Sequence, residues 1–194
     1  MKRIGILLFD QVEELDAAGP WEVFGLWATT CPDEASVVSL ATSPGPVRAA
    51  HGLTFHADRG FADVGELDVL VYPGGRGTRP LLKDTGHLDW VRERRERTPL
   101  IASVCTGSLV LAAAGLLRGR PATTHWSCLD LLAELDPSVE VRREDRFVDD
   151  GDVVTSAGIS AGIDMSLHLV ARFAGVERAR EIRREMEYDP LPPV

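Results

Sequence analysis

The sequence predicts an α/β fold in which a mostly parallel β-sheet is sandwiched by helices. Three observations predict it. Short apolar, β-branched runs alternate with longer helical patterns along the whole chain. The runs read as near-continuous hydrophobic blocks, as parallel strands buried on both faces do. Composition is ordinary for a globular protein, 44% hydrophobic and 26% charged, and 194 residues suit one domain spanning 1–194.

Residues 4–9 (IGILLF) read as the first buried strand, and a helix is expected to begin near Pro20, a residue suited to a first helical turn. Residues 36–41 (SVVSLA) make a second strand. Residues 47–55 pass through His51-Gly52, a turn between short extended pieces. Residues 67–72 (LDVLVY) form another buried strand, which ends abruptly in Pro73-Gly74-Gly75. A charged amphipathic helix covers about residues 86–97, with the run 92–97 on its solvated face, and residues 99–104 (PLIASV) are the next strand.

After Cys105 a helix is expected over residues 107–117, stopped by Gly119 and Pro121. Leu129, Leu131, Leu132 and Leu135 mark a further helix. Residues 139–141 and 146–148 are short strands, and Asp150-Gly151 signals a hairpin leading into the strand 153–156. Helices near 163–173 and 176–186 follow, the second with i,i+3 pairs Glu177–Arg180 and Glu181–Arg184 on a solvated face. Residues 190–194 read as a Pro-rich tail.

Thirty acidic against twenty-one basic side chains give a formal charge of −9. Nothing in that balance attracts phosphate backbones or anionic lipid, so neither nucleic acid nor a membrane is expected as a partner. The longest apolar stretch, 109–117, is far short of the ~20 residues that span a bilayer, and the run 4–9 is too short for a signal-peptide core. Three cysteines, Cys31, Cys105 and Cys128, are an odd count without C-x-x-C spacing. That usage fits free thiols in a reducing compartment, hence a cytoplasmic protein.

In such sheets ligands bind beyond the carboxyl ends of the strands. Three junctions there carry chemistry: Leu15-Asp16, Gly74-Gly75-Arg76-Gly77 and Ser103-Val104-Cys105-Thr106-Gly107. A cysteine between a buried strand and a helix, with small residues two positions to either side, has the steric layout of a nucleophile elbow. The helix that follows aims free N–H groups and its positive dipole end at the sulfur, which should lower the thiol pKa below about 8.5. A lone cysteine is more often a buried small hydrophobe. Here strand-end position, small flanks and immediate helix start together favour the nucleophile, whereas Cys31 and Cys128 lack this setting and read as structural.

The glycine loop fits neither a dinucleotide fingerprint, since Pro80 stands where glycine is needed, nor a P-loop. Its Gly75 N–H and the Thr106 N–H could form an oxyanion hole, or the loop could be a tight strand exit. Asp16, among Leu15, Ala17 and Ala18, is either a desolvated carboxyl suited to acid–base work or a helix N-cap. His125 could orient or deprotonate a thiol, or serve as a structural hydrogen bonder. His125-x-x-Cys128 has no second ligand pair, so no metal is expected.

These segments resemble the ThiJ/PfpI superfamily, the class I glutamine amidotransferase-like group with a flavodoxin-like sheet. The resemblance covers nearly the whole chain and rests on Phe9-Asp10 through Leu15-Asp16-x-x-Gly19-Pro20, on Pro73-Gly74-Gly75, and on the elbow from Ser103 to Leu111. It continues in Ala114-Gly115-Leu116-Leu117, Ala122-Thr123-Thr124-His125-Trp126, Gly158-Ile159-x-Ala161-Gly162-Ile163-Asp164 and Glu187-Tyr188-x-Pro190-x-Pro192-Pro193. Within the superfamily the isocyanide hydratase branch is most similar. The resemblance implies Cys105 as nucleophile, Asp16 as its acid, Thr106 beside the thiolate, and backbone near Gly158 and Ile159 lining the pocket. It further implies a homodimer, no cofactor, and conversion of organic isocyanides to N-substituted formamides through a thioimidate. A glyoxalase, deglycase, amidase or peptidase using Cys105 with His125, and a thiol-based stress sensor, stand as alternatives. The acidic segment 145–152 and Asp189 depart from the pattern, and no helix-turn-helix module is expected.

Overall fold

The computed structural model describes residues 1–190, so residues 191–194 of the expected tail lie outside it. The chain begins with β1 (Lys2–Leu7), α1 (Glu14–Thr30) and β2 (Ala35–Ala41). A hairpin of β3 (Gly45–Arg48) and β4 (Thr54–Ala57) follows, with short β5 (Arg59–Gly60). Next come β6 (Val69–Tyr72), a single-turn α2 (Thr78–Leu81), α3 (Thr85–Arg97), β7 (Leu100–Val104) and α4 (Gly107–Ala113). The second half holds β8 (Pro121–Ala122), a 3₁₀ turn at Trp126–Cys128, α5 (Leu129–Leu135), β9 (Glu140–Val141), β10 (Phe147–Asp149) and β11 (Val153–Ser156). Helices α6 (Ala161–Ala174) and α7 (Val176–Glu185) complete it.

Seven strands form one sheet in the order β10-β11-β7-β6-β1-β2-β5, parallel throughout except for the antiparallel edge pair β10–β11. Strand side chains alternate between two apolar layers. Ile4, Ile6, Val69, Val71, Ala102 and Val104 pack with Phe24, Trp27, Met165 and Leu169 of α1 and α6. Leu7, Leu70, Tyr72 and Ile101 pack with Leu88, Val91, Leu109 and Leu132 of α3, α4 and α5. The expected sheet sandwiched by helices is therefore what forms. The chain leaves β1 for β2 on one side and returns to β6 on the other. The reversal opens a crevice at the carboxyl ends of β1, β6 and β7.

Helices α1 and α6 touch closely on one layer. A Cβ placed on Gly19 would lie 3.0 Å from Ile163 Cγ1, and one on Gly162 would lie 3.6 Å from Pro20 Cγ.

Several expectations need correction. The first helix starts at Glu14, six residues before Pro20, which sits inside it. Pro20 stands in the second turn, where it has no N–H for the Asp16 carbonyl and its ring crowds that carbonyl. The strand expected from residue 67 starts at Val69, because Asp68 turns its carboxylate onto the Arg3 N–H at 2.8 Å. Helix α4 ends at Ala113, well short of 117: Gly115, at φ 82°, and Leu116 return their N–H groups to Ala112 and Leu111. Arg94, expected on a solvated face, is buried and donates twice to the Gly65 carbonyl. Glu177 pairs with Arg180 as expected, but Glu181 pairs with Arg178 and not with Arg184. No helix among the described residues is long and apolar enough to cross a membrane.

A tight junction lies where α4 leaves the sheet. A Cβ on Gly107 would stand 2.2 Å from the Tyr72 carbonyl oxygen and 2.8 Å from that of Pro73, both backbone atoms with little room to yield. Gly107→Ala is expected to lower unfolding free energy by about 2–4 kcal/mol. A urea midpoint equal to that of the parent would show that the close approach carries no such cost.

Candidate active site

Cys105 stands between β7 and α4 with φ 55°, in the left-handed region that an L side chain adopts only under strain. Four hydrogen bonds hold it there. Its N–H donates to the carbonyls of Ser156 and Ala157, each at 3.1 Å. Its carbonyl accepts from Ser108 Oγ at 3.2 Å and from Thr124 Oγ1 at 2.9 Å. The expected elbow is present, and its sulfur is almost fully buried, the residue being 5% exposed.

Asp16 lies in the first turn of α1 and is completely buried. It is not the N-cap, a position held by Glu13. Asp16 Oδ2 accepts the Gly74 N–H at 3.0 Å, while Oδ1 has no nitrogen or oxygen partner among the described residues. The carboxyl lies beside the Cys105 thiol. Burial pushes the Asp16 carboxyl up to about 7, opposed in part by the Gly74 N–H and the thiol.

The sequence-based expectation of a lowered thiol pKa is reversed: the Cys105 thiol is pushed up to about 12. Burial is the main cause and the adjacent Asp16 carboxylate the second; the N–H groups of Thr106 and Ile159, both directed at the sulfur, pull it down only in part. The N–H groups at the helix terminus act in the expected direction but are outweighed by desolvation beside a second acid. The result is a pair of neighbouring buried acids able to pass one proton between oxygen and sulfur.

The oxyanion arrangement also differs from expectation. The Gly75 N–H is committed to Thr106 Oγ1 at 3.0 Å. Thr106 Oγ1 also accepts from Thr78 Oγ1 at 3.3 Å, so this hydroxyl ties the glycine loop to the elbow. The amides that converge on the sulfur are those of Thr106 and Ile159. Ile159 is β-branched and yet has φ 49°, a second strained residue facing the first.

His125 does not bond the thiol. Its Nδ1 is held by Ser127 Oγ at 2.8 Å, and its ring lies over Gly158, where a Cβ would come within 2.4 Å of Cδ2. Among residues not singled out from sequence, Thr124 and Ser108 brace the cysteine carbonyl and buried Thr78 braces Thr106. Thr124 sat in plain view inside the A-T-T-H-W segment, where the histidine drew attention away from it. Cys128 is buried with Arg79 Nη2 3.2 Å from its sulfur, and Cys31 is half-buried; both are free thiols.

Among the described residues, Glu13, Glu14 and His51 form a group that could hold a cation. Their atoms are already engaged, since Glu14 accepts from the His51 N–H at 2.7 Å and contacts His51 Nδ1 at 2.9 Å. The group latches the β3–β4 hairpin onto α1.

A strained cysteine at the carboxyl edge of a parallel sheet, beside a buried helix-borne carboxyl, defines an α/β protein with a thiol centre. The chain belongs to the DJ-1/PfpI family, which its residues 2–172 match. It is 42% identical over 191 residues to isonitrile hydratase of Pseudomonas putida, covering 98% of this chain and 80% of that one. A THiJ/PfpI family protein from Pseudomonas syringae superposes with a TM-score of 0.90 at 36% identity, over 100% of this chain and 77% of that chain. The HTH-type transcriptional regulator CdhR of Pseudomonas aeruginosa is 34% identical over 75% of this chain, which spans only 43% of the regulator.

The raised Asp16 pKa makes a signed stability prediction. In the unfolded chain Asp16 titrates near 3.8, and in the fold at about 7. Its contribution is complete below 3.8, declines as pH rises, and is lost above 7. Asp16→Asn should therefore gain on the parent as pH rises, by up to about 4 kcal/mol for a shift of about three units. Thermal unfolding of both proteins across this range checks it; a constant difference in Tm would refute the burial argument.

Proposed function

We propose that this protein hydrates organic isocyanides to N-substituted formamides. The observation that carries the reading is the Cys105 thiol and the Asp16 carboxyl buried side by side, with Asp16 Oδ1 left without a hydrogen-bond partner among the described residues. Similarity to an isonitrile hydratase over 98% of the chain supports the substrate class.

The chemistry needs one nucleophile and one acid at the same carbon. The thiol proton passes to Asp16, and Cys105 Sγ bonds to the terminal isocyanide carbon. The proton held on Asp16 is then delivered to that carbon, giving a thioimidate, R–N=CH–S. The Asp16 carboxylate next takes a proton from water as its oxygen adds to the carbon, and passes that proton to nitrogen. The C–S bond breaks as the hydroxyl proton passes by way of Asp16 to sulfur, releasing R–NH–CHO and restoring the thiol. The Thr106 and Ile159 amides stabilise the sulfur whenever it carries negative charge. Asp16 thus alternates between base and acid, a role that suits a pKa near neutrality.

The histidine-dependent hydrolase alternative draws no support from His125, which is engaged by Ser127 and Gly158. We also propose that the protein is a homodimer. Leu15, Trp21 and Leu53 are exposed apolar side chains on α1 and the hairpin latched to it, consistent with a covered face.

Loss of the isonitrile infrared band with appearance of formamide measures the reaction. Cys105→Ala is expected to lose about 10³-fold or more, and Asp16→Asn about 10²-fold. Consumption of isocyanide by Cys105→Ala at the parent rate would end the proposal. Activity should also rise with pH through about 7, because below it both partners are protonated and Asp16 has no site for the thiol proton. Asp16→Asn should lack that inflection.

A further inference from the structure

Two sequence segments with family resemblance remain without a role, the acidic-ended stretch from Gly158 to Asp164 and the C-terminal Glu187-Tyr188 pair. The structure joins them through Arg146. The Arg146 carbonyl accepts the Ala157 N–H at 2.9 Å, at the start of the tight turn that presents Ile159. Its guanidinium reaches the other end of the same turn, with Nη2 on Ser160 Oγ at 3.1 Å and Nε on Asp164 Oδ2. Tyr188 donates its hydroxyl to Asp164 Oδ1 at 3.1 Å. Tyr188 is itself fixed to the end of α7, its carbonyl accepting from Arg183 Nε at 3.0 Å and its N–H returning to the Arg183 carbonyl at 3.0 Å.

One residue thus grips both ends of a four-residue turn whose middle is strained. A left-handed β-branched residue is strained and persists only where its surroundings over-determine it. The Arg146–Asp164 pair is partly exposed, its side chains 49% and 21% accessible. A pair of that kind contributes little to folding, too little to explain it as a stability device.

We propose that Arg146, set by Asp164 and Tyr188, is a positioning residue that holds the Ile159 N–H against the Cys105 sulfur. The inference rests on the reading of Cys105 as the nucleophile, and it deepens that reading without depending on the isocyanide substrate. When the grip is lost, Ile159 relaxes toward negative φ and its amide turns away from the sulfur. A thiolate that loses a hydrogen-bond donor becomes harder to form. The other groups facing the sulfur are Asp16 from α1, itself raised by Glu13, and the Thr106 amide; none of them touches Arg146. His125 lies over Gly158, beside the turn.

The test is alkylation of the intact protein by iodoacetamide, with modification of the Cys105 peptide followed by mass spectrometry across pH. Arg146→Ala is expected to slow alkylation about tenfold at a fixed pH and to displace the profile to higher pH, since small misplacements at a reacting centre carry costs of that order or larger. Tyr188→Phe, which deletes one hydroxyl, should move the profile the same way by less. Arg146→Lys should recover part of the effect by reaching one of the two acceptors. A merely structural role would lower Tm and leave the profile unchanged. An Arg146→Ala protein whose profile superimposes on the parent overturns the proposal, and if that variant fails to fold, an unchanged profile in Tyr188→Phe overturns it equally. Absence of isocyanide turnover would count against the proposed reaction and leave this result standing.

Discussion

Two acids, a thiol and a carboxyl, are held side by side away from water, and nearly everything else near the crevice serves to keep them there. Each would hydrate readily if exposed. Placing them together out of solvent disfavours ionisation of both, so that the carboxyl titrates at about 7 and the thiol at about 12. A pair in this condition does not supply a free thiolate at rest. It supplies a proton that can change sides at little cost, which is what a reaction that first gives and later reclaims a proton requires.

The scaffold offsets that desolvation with local hydrogen bonds. The Gly74 N–H takes one carboxylate oxygen, and Ser108 and Thr124 take the cysteine carbonyl that its left-handed φ turns aside. Thr106, which sequence placed beside the sulfur, contributes its amide there while its hydroxyl faces the other way, into Gly75 and Thr78. Strain at Cys105 and Ile159 is concentrated where two turns meet, each supported by bonds from outside itself. Strained residues of this kind cluster at functional centres.

Much of the fold was legible because buried parallel strands announce themselves as unbroken apolar runs, and because Asp150-Gly151 marks its hairpin chemically. Helix ends were less legible. Pro20 suggested a start where the helix had already made more than a turn, and α4 stopped at a backbone arrangement around Gly115 that hydropathy does not encode. At the site, the identities of Cys105 and Asp16 were readable from position, but not the balance of forces on them. Local dipoles can be inferred from a strand–helix junction; burial to 5% exposure depends on β11, α1 and the loop after β6, segments remote in sequence. Gly75 stayed between two readings for the same reason, since its amide finds a hydroxyl thirty-one residues away.

The close seating of α1 on α6, glycine against isoleucine and glycine against proline, has a geometric corollary. Asp16 rides at the leading end of one helix and Ile159 immediately precedes the other, so the two helices act as the jaws of a single calliper around the sulfur. Bulk added at Gly19 would press on Ile163, widen that calliper and separate proton carrier from amide in the same movement, whereas bulk at Gly162 would first meet Val104 of β7. The gap between two helices is thereby the dimension that sets the scale of the chemistry.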